Sequence, residues 1–274
     1  MPDSQERQLQ FPSMETPPPV PETTAQAPET TTTSLPARLM NVFAEPGEVF
    51  EEIKSTPPAT GNWLVPVFLW ALVGIVTSVI LLSQPAIQHQ IHEQQAKAMD
   101  KMVQQGKLTR EQADQATAAA EKFTGPTMLM LFGGVGSVVV SIIHAVWWAL
   151  VLWLLGRWLL KSQFPYTKAL EVAGLPMMIG ALGAIVGLLL GIILSRMYAT
   201  PSAALLITDF DVTNKAHLFV ATLNPFQIWQ AIVMGVGLAK VTGAAAPRAV
   251  LGVLLFWAVQ ESLLILAGMG QMAL

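Results

Sequence analysis

The sequence contains no cysteine and little charge. Without cysteine the chain cannot form a disulfide, offer a thiolate nucleophile or bind a metal through sulfur. Charged residues make up only 12% of the 274 residues, against roughly 25% in soluble domains, while 53% are hydrophobic. This composition argues against a water-soluble globular fold. The formal net charge of −3 leaves no excess of Lys and Arg to neutralise a phosphate backbone, so we expect no nucleic-acid partner.

Catalytic signatures are also missing. The chain has no His-Glu-x-x-His, no Gly-x-Ser-x-Gly and no phosphate-binding Gly-Lys-Ser/Thr loop. His89 and His92 have a spacing that can ligate metal but no recognisable third ligand, so we interpret them as solvated polar residues. Asp209 and Asp211 are interpreted as a turn or helix cap, since a lipid-modifying enzyme would need further carboxylates or histidines facing them. We therefore expect no enzyme, no cofactor and no metal site.

Long uncharged segments recur after residue 62. An α-helix rises 1.5 Å per residue, so about 20 apolar residues cross the ~30 Å hydrocarbon core of a bilayer. The second segment is longer than this and must tilt or protrude, whereas the fourth is short and must tilt or borrow apolar residues from 218–223. We predict an all-α, polytopic membrane bundle with five transmembrane helices at 63–82, 127–156, 172–194, 225–239 and 249–267.

Three segments are expected outside the bilayer. Residues 1–36 contain eight of the nineteen prolines and few large apolar side chains, which predicts a disordered tail. Residues 37–62 form an amphipathic lead-in, with Glu48, Glu51 and Glu52 on its polar face; it lies in the membrane interface or packs under the bundle. Residues 86–123 predict a helical hairpin, with Gly106 as a helix stop and Thr109 opening a capping box.

The charge of the short loops predicts the orientation of the bundle. Five basic residues follow the second and fourth spans, against two after the third (Arg157, Lys161, Lys168, Lys240 and Arg248 against Arg196 and Lys215). Because basic loops stay in the cytosol, we expect a cytosolic N-terminus and a C-terminus on the opposite side. The bilayer is the first partner, and protein partners are expected at the tail 1–36 or the hairpin 86–123.

Small residues recur every four positions in two spans. They are Gly133, Ser137, Ser141, Ala145 and Ala149 in the second span, and Gly183, Gly187 and Gly191 in the third. Helices in lipid associate through such surfaces because their backbones can approach closely. We expect the two ridges to pack on each other as an internal seam, with a homodimer face as the alternative. A Gly187→Leu substitution should then destabilise an internal seam.

Two ionisable residues fall at membrane depth, His144 in the second span and Glu261 in the fifth. An ionised carboxylate in hydrocarbon costs at least ~2.5 kcal/mol, so such residues face the bundle and find a partner. Either the two residues pair, or a protonated Glu261 bonds to a backbone carbonyl. Lys168 and Glu171, three apart at the start of the third span, are interpreted as an interfacial salt bridge that snorkels towards water.

Three stretches have a distinctive order and spacing. They are the lead-in with Pro46 and Phe50, the start of the third span with Pro176, and 223–229 with Phe226 and Trp229. In this order they resemble the Yip family of integral membrane proteins over about residues 37–270. The resemblance implies a five-span bundle with a cytosolic N-terminus.

Two stretches depart from the eukaryotic members of that family, which are associated with Rab-type GTPases. Residues 62–66 retain only Pro66 of an Asp-Leu-Tyr-Gly-Pro run, and residues 173–175 stand where a Gly-Tyr-Gly motif is found. These departures favour a prokaryotic type in a bacterial inner membrane. The resemblance implies a non-enzymatic protein that organises or scaffolds membrane and protein partners, possible homo-oligomers included. The competing class is a solute or ion permease using His144 and Glu261, which a water-filled cavity reaching both would favour.

Overall fold

The computed structural model describes residues 33–121 and 126–270. In this part of the chain every regular element is a helix and no strand is present, so the predicted all-α class is confirmed. A short 3₁₀ helix at Ala203–Leu206 lies between the eighth and ninth α-helices. The α-helices are α1 (Leu35–Ala44), α2 (Pro46–Ser55), α3 (Gly61–Leu82), α4 (Pro85–Gln104), α5 (Arg110–Glu121), α6 (Pro126–Trp158), α7 (Tyr166–Gly174), α8 (Met177–Leu194), α9 (Lys215–Ala221), α10 (Pro225–Thr242) and α11 (Ala246–Leu266).

Four segments of the described chain are long and apolar enough to cross a membrane: α3, most of α6, α7 together with α8, and α11. The fourth predicted span, 225–239, meets this criterion only if α9 and α10 count as one span, bent by 59°. Residues 218–223, which we expected the short span to borrow, therefore lie on a separate helix and in the bend. The bundle has four spans, or five with the bent pair.

α10 runs from one end of the bundle to the other. Just before it, the carbonyl of Leu223 accepts a hydrogen bond from the N–H of Ala203 at 3.3 Å, in the connection that follows α8. Near its end, Nζ of Lys240 lies 3.2 Å from a carboxylate oxygen of Glu51 in α2. We call the end that carries α1 and α2 the lead-in end, and the end that carries α4 and α5 the hairpin end. Successive spans alternate between the two ends.

The small-residue ridge of α6 packs on α3 rather than on α8, so the expected pairing of the two ridges is wrong. A Cβ atom on Gly74 of α3 would lie 2.8 Å from the side chain of Ser137. One on Gly133 would lie 2.9 Å from Ser78 in the same way. Ser141, the next member of the ridge, is buried. The physical reason is that α3 packs against both α6 and α8.

The glycines of α8 face three different neighbours. A Cβ on Gly183 would lie 2.8 Å from Phe226 of α10, and one on Gly191 would lie 2.9 Å from a leucine of α3. At Gly187 the nearest atom is Cδ of Pro201 at 3.6 Å, an ordinary van der Waals distance. Gly187 is therefore a less sensitive test of packing than the sequence indicated.

The lead-in packs against the bundle, which decides between the two alternatives left open. Val42, Phe50 and Ile53 have no exposed surface, and Val49 is 4% exposed. α2 contacts α10 and α7, while α1 contacts α8 and α3. The apolar stripe of the lead-in is thus covered by protein rather than by lipid.

The hairpin contains the local features that the sequence predicts. Gly106 has a φ of +68°, a left-handed conformation that ends α4 at low cost only with glycine. The N–H of Gln112 donates to Oγ1 of Thr109 at 3.2 Å, and Oε1 of Gln112 accepts from the N–H of Thr109 at 2.9 Å, which completes the capping box. The predicted disordered tail lies largely outside the described residues, and α1 already begins at Leu35, within the predicted tail.

Candidate functional site at the lead-in junction

The carboxylate of Glu171 in α7 lies at the centre of a buried polar network. Its Oε1 accepts hydrogen bonds from Nδ2 of Asn62 at 2.6 Å and from the N–H of Ala59 at 3.0 Å. Its Oε2 forms an ion pair with Nζ of Lys168 at 2.8 Å, and Nζ also donates to the carbonyl of Ile53 at 2.5 Å. Glu171 has no exposed surface and Lys168 is 7% exposed, so this pair is buried rather than snorkelling.

Asn62 connects this pair to a second one inside the lead-in. Its Oδ1 accepts from Nη1 of Arg38 at 3.1 Å, while Nη2 of Arg38 donates to Oε1 of Glu52 at 2.8 Å. The same Oε1 accepts from the N–H of Thr33 at 2.7 Å. Glu52 therefore turns towards the protein, and the prediction that it faces away with Glu48 and Glu51 is wrong.

Glu52 has a lowered pKa as a result of this arrangement. Partial burial of its carboxyl group raises the pKa, but hydrogen bonds from Arg38 and from Thr33 outweigh burial, and the positive charge of Arg38 lowers it further. The carboxylate form of Glu52 is thus the form that the folded lead-in stabilises.

The four charged groups of the network are balanced. Two cations, Arg38 and Lys168, face two carboxylates, Glu52 and Glu171, and the amide of Asn62 joins the pairs. Removing charges from water is costly, and the cost is offset only where geometry and further hydrogen bonds satisfy them. The network meets this condition in part: backbone groups near the end of α2 and before α3 bond to Lys168 and Glu171, while Nε of Arg38 is buried without a hydrogen-bond partner among the described residues. It therefore joins α1, α2 and the start of α3 to α7.

Phe50 fills the space beside the network. A Cβ on Gly237 of α10 would lie 2.8 Å from Val172 of α7 and 3.0 Å from the Phe50 ring, so the ring depends on glycine at position 237. Pro46 is the first residue of α2, where proline is favoured because its N–H would have no helical partner. Both residues belong to the set that carries the family resemblance.

The other residues of that set lie in the surrounding core. Trp229 of α10 packs edge-on against Phe43 of α1, with ring centroids 5.9 Å apart, and its ring lies 6.5 Å from that of Phe226. Pro66 is buried inside α3, and Pro176 is the N-cap residue of α8, at the break after α7. The resemblance thus maps largely to the contacts that hold the lead-in and the spans together.

The structure does not bring His144 and Glu261 together. The ring of His144 lies edge-on to Trp70, with centroids 4.6 Å apart, and its Nε2 is 3.4 Å from Nε2 of Gln230. Oε2 of Glu261 is buried and has no hydrogen-bond partner among the described residues. His144 thus belongs to a contact between α3, α6 and α10, while Glu261 lies apart from it on α11.

Two open pockets stand out among the described residues. The larger, of about 580 Å³, lies at the hairpin end between α4 and residues 196–213. The other, of about 450 Å³, lies at the C-terminal end of α6. Neither is lined by His144 or Glu261, so the cavities give no support for a permease built on these residues.

The remaining candidates show no arrangement for metal chemistry. His89 and His92 are exposed on α4, and residues 33–121 and 126–270 contain no group of three or more His, Asp or Glu that could hold a metal ion. Asp211 accepts hydrogen bonds from the N–H and hydroxyl of Thr213 at 2.7 and 3.0 Å, which is the predicted turn. Asp209 lines the larger cavity.

Three members of the network, Arg38, Glu52 and Asn62, were not identified from the sequence. Arg38 carries a detectable signal, since it shares the apolar stripe of α1 with Leu39 and Val42 and a charge in such a stripe needs a partner. For Asn62 and Glu52 no local pattern identifies the partner, because each bond joins residues distant in sequence.

Apolar spans, with a lead-in packed on them through a charge-balanced network of ion pairs and hydrogen bonds, define a polytopic helical membrane protein. The Yip1 domain matches residues 40–269, most of the chain, and the protein belongs to the Yip1 domain family. The resemblance seen in the sequence is thereby confirmed. The family is not known as enzymatic. No curated protein and no solved structure matches the chain.

Proposed function

We propose that the protein is a non-enzymatic membrane organiser in which α1 and α2 form a fixed platform for protein partners. The observation that carries this proposal is the buried network around Glu171, which fixes the lead-in against the bundle. An amphipathic pair of helices without such bonds could move between the protein and the lipid interface. A platform of constant geometry instead suits the recruitment of partners to one place on the membrane.

The outer surface of the platform exposes one large apolar side chain. Met40 is 67% exposed although it lies on a helix outside the spans, and Glu45 and Glu48 are exposed beside it in sequence. The N–H of Thr33 donates to Glu52 of the same platform. We propose that partners contact this platform or the tail at 1–36, and that the hairpin at 86–123 offers a second surface.

The proposal includes an orientation and a compartment. Outside the tail, the lead-in and the hairpin, five basic residues lie at the lead-in end and two at the hairpin end, which favours a cytosolic platform, with the C-terminus on the opposite side, in a bacterial inner membrane. The ridges of α6 and α8 are used inside the chain, so a homo-oligomer would form through another surface.

Photo-crosslinking in native membranes tests the platform. A photoreactive amino acid at Met40 should give discrete protein adducts, whereas one at Leu206, which is 88% exposed near the hairpin end, serves as the control. Adducts at Met40 should disappear with Glu171→Gln, because the platform loses its fixed position.

Truncation separates the tail from the platform. Removal of residues 1–32 leaves α1 intact, so adducts that are lost with it depend on the tail and adducts that remain depend on the platform. The absence of any protein adduct at Met40, with or without the tail, would contradict the proposal.

A further inference from the structure

The smaller cavity lies where α6 ends and the chain turns towards α7. Its volume is about 450 Å³, and its lining combines one cation with aromatic and polar side chains. No Asp or Glu contributes to it. Its lining includes Trp153, Arg157, Ser162, Gln163, Phe164 and Tyr166.

The turn after α6 builds the cavity. The ring of Phe164 packs directly on Gly156, where a Cβ atom would collide with it, so the chain folds back over the last turn of the helix. The N–H of Ser162 donates to the carbonyl of Gly156 at 3.0 Å, and Lys161 adopts a φ of +54°. The hydroxyl of Tyr166 donates to the carbonyl of Val146 at 3.0 Å, which fixes the opposite wall. These contacts hold the walls of the cavity in place.

Three cations surround this turn without an acidic partner. The guanidinium of Arg157 lies over the Trp153 ring, 5.3 Å from its centroid, and that of Arg248 donates to the carbonyl of Leu159 at 2.9 Å. No ion pair of Arg157, Lys161 or Arg248 is found within residues 33–121 and 126–270.

Three acidic residues of α2 and α7 are already paired, Glu52 with Arg38 among them, while Glu48 of α2 has no ion pair among the described residues. Glu51 of α2 faces Lys54 and Lys240, and Glu171 of α7 faces Lys168. The cations around the cavity therefore remain available to an external anion.

The position of the cavity relative to lipid identifies its occupant. Trp158, next to Arg157 in sequence, is 73% exposed at the end of an apolar span, and Leu251 of α11, one turn from Arg248, is 58% exposed. Exposed tryptophan beside basic residues at the end of a span is typical of the headgroup level of a bilayer. A phosphate at this level belongs to a lipid.

We propose that this cavity binds the phosphate of an anionic phospholipid headgroup. Stacking on Trp153 uses the face of the Arg157 guanidinium and leaves its N–H edge to hydrogen-bond two phosphate oxygens. Gln163 supplies an amide donor, and Lys161, which belongs to the same turn without lining the cavity, adds a second positive charge nearby. The positive charge of Arg157 would also stabilise the C-terminal end of α6 without any ligand. Lys161 lies beyond that helix. A loss of lipid binding in a Lys161 variant therefore indicates a lipid site rather than a loss of helix stability.

Lipid retention on the purified full-length protein tests the proposal. The protein is reconstituted in nanodiscs of phosphatidylcholine with phosphatidylglycerol, released into detergent, and its bound lipids are counted by native mass spectrometry. We expect selective retention of phosphatidylglycerol, reduced about fivefold by Arg157→Gln or Lys161→Gln, the factor that corresponds to ~1 kcal/mol per basic residue near an anionic surface. Arg157→Lys should lose part of the binding, because it keeps the charge without the bidentate edge.

Matched controls decide among the outcomes. Lys54→Gln removes one positive charge at the same end of the bundle, from a residue already paired with Glu51, and should retain the lipid. Equal losses in all variants would mean general surface electrostatics and overturn the proposal, as would equal retention of both lipids by the unmodified protein. Inorganic phosphate is the second probe: if it displaces the retained lipid at millimolar concentration, the site takes free phosphate and the proposed occupant is wrong.

Discussion

Replacing Glu171 with glutamine removes the charge on which the lead-in network depends. Glu171 is fully buried and accepts hydrogen bonds from Asn62 and Ala59 while pairing with Lys168, which is 7% exposed. The amide leaves the Lys168 ammonium buried without a counter-charge. Breaking a buried pair on one side costs about 3–5 kcal/mol. On the scale of soluble domains of this size, that loss lowers Tm by about 6–20 °C.

A double-mutant cycle separates the pair from its surroundings. Lys168→Met and Glu171→Leu each leave the other charge of this pair buried alone, whereas the double variant removes both, so its loss of stability should be smaller than the sum of the single losses. Thermal unfolding in detergent, followed by tryptophan fluorescence, gives the Tm of the wild type, the two single variants and the double variant. Asp100→Asn is the control, since its pair with Arg110 is exposed by 53% and 69% and should not affect Tm. Wild-type melting of Glu171→Gln, or strict additivity in the cycle, would refute the reasoning.

Three further measurements address packing, pH and topology. Gly174→Ala places a Cβ against the backbone of α3 and should lower the stability by about 1–3 kcal/mol. Gly187→Ala meets only ordinary van der Waals contacts and should melt like wild type. Equal Tm values for the two variants would contradict the close approach of α7 to α3. Because the pKa of Glu52 is lowered, its stabilisation is complete above the ordinary value of 4.5 and is lost as pH falls through the lowered value. The Tm difference between wild type and Glu52→Gln should therefore close in acid, and a difference that persisted would exclude its charge as the cause. Since the chain has no cysteine, single cysteines at Ser55 and Lys107 should react with an impermeant maleimide from opposite sides of the membrane, and labelling from one side would overturn the topology.

The features that the sequence predicted well are those set by neighbouring residues. Gly106 and the Thr109–Gln112 capping box each act within a few positions, and the structure contains both where they were expected. The spans are predictable for the same reason, because an uncharged run in lipid has to satisfy its backbone as a helix. The sequence indicated only that the fourth span is too short, and it gave no sign of the bend between α9 and α10.

The choice of helix partners was not predictable from these patterns. A ridge of small residues shows which face allows close approach but not which helix occupies it, so α3 as the neighbour of both α6 and α8 was missed. The same holds for the network, in which Asn62 and Glu171 are 109 positions apart. Lys168 and Glu171 were recognised as a pair, but their burial depends on a segment more than a hundred residues earlier in the chain.

The placement of the lead-in follows from polar rather than apolar contacts. The apolar stripe of α1 and α2 could be buried almost as well by lipid acyl chains as by the bundle, so hydrophobicity alone does not select one position. The polar network does select one, because any displacement of the lead-in would break the bonds of Lys168 to Ile53, of Glu171 to Ala59 and of Asn62 to Arg38. A partner protein that inserted between α2 and α7 would have to replace each of those bonds, whereas one that binds the outer face beside Met40 leaves them intact. Recognition of the fixed outer surface is therefore the route of lower free energy, and Glu171→Gln should impair it without removing any residue that the partner touches.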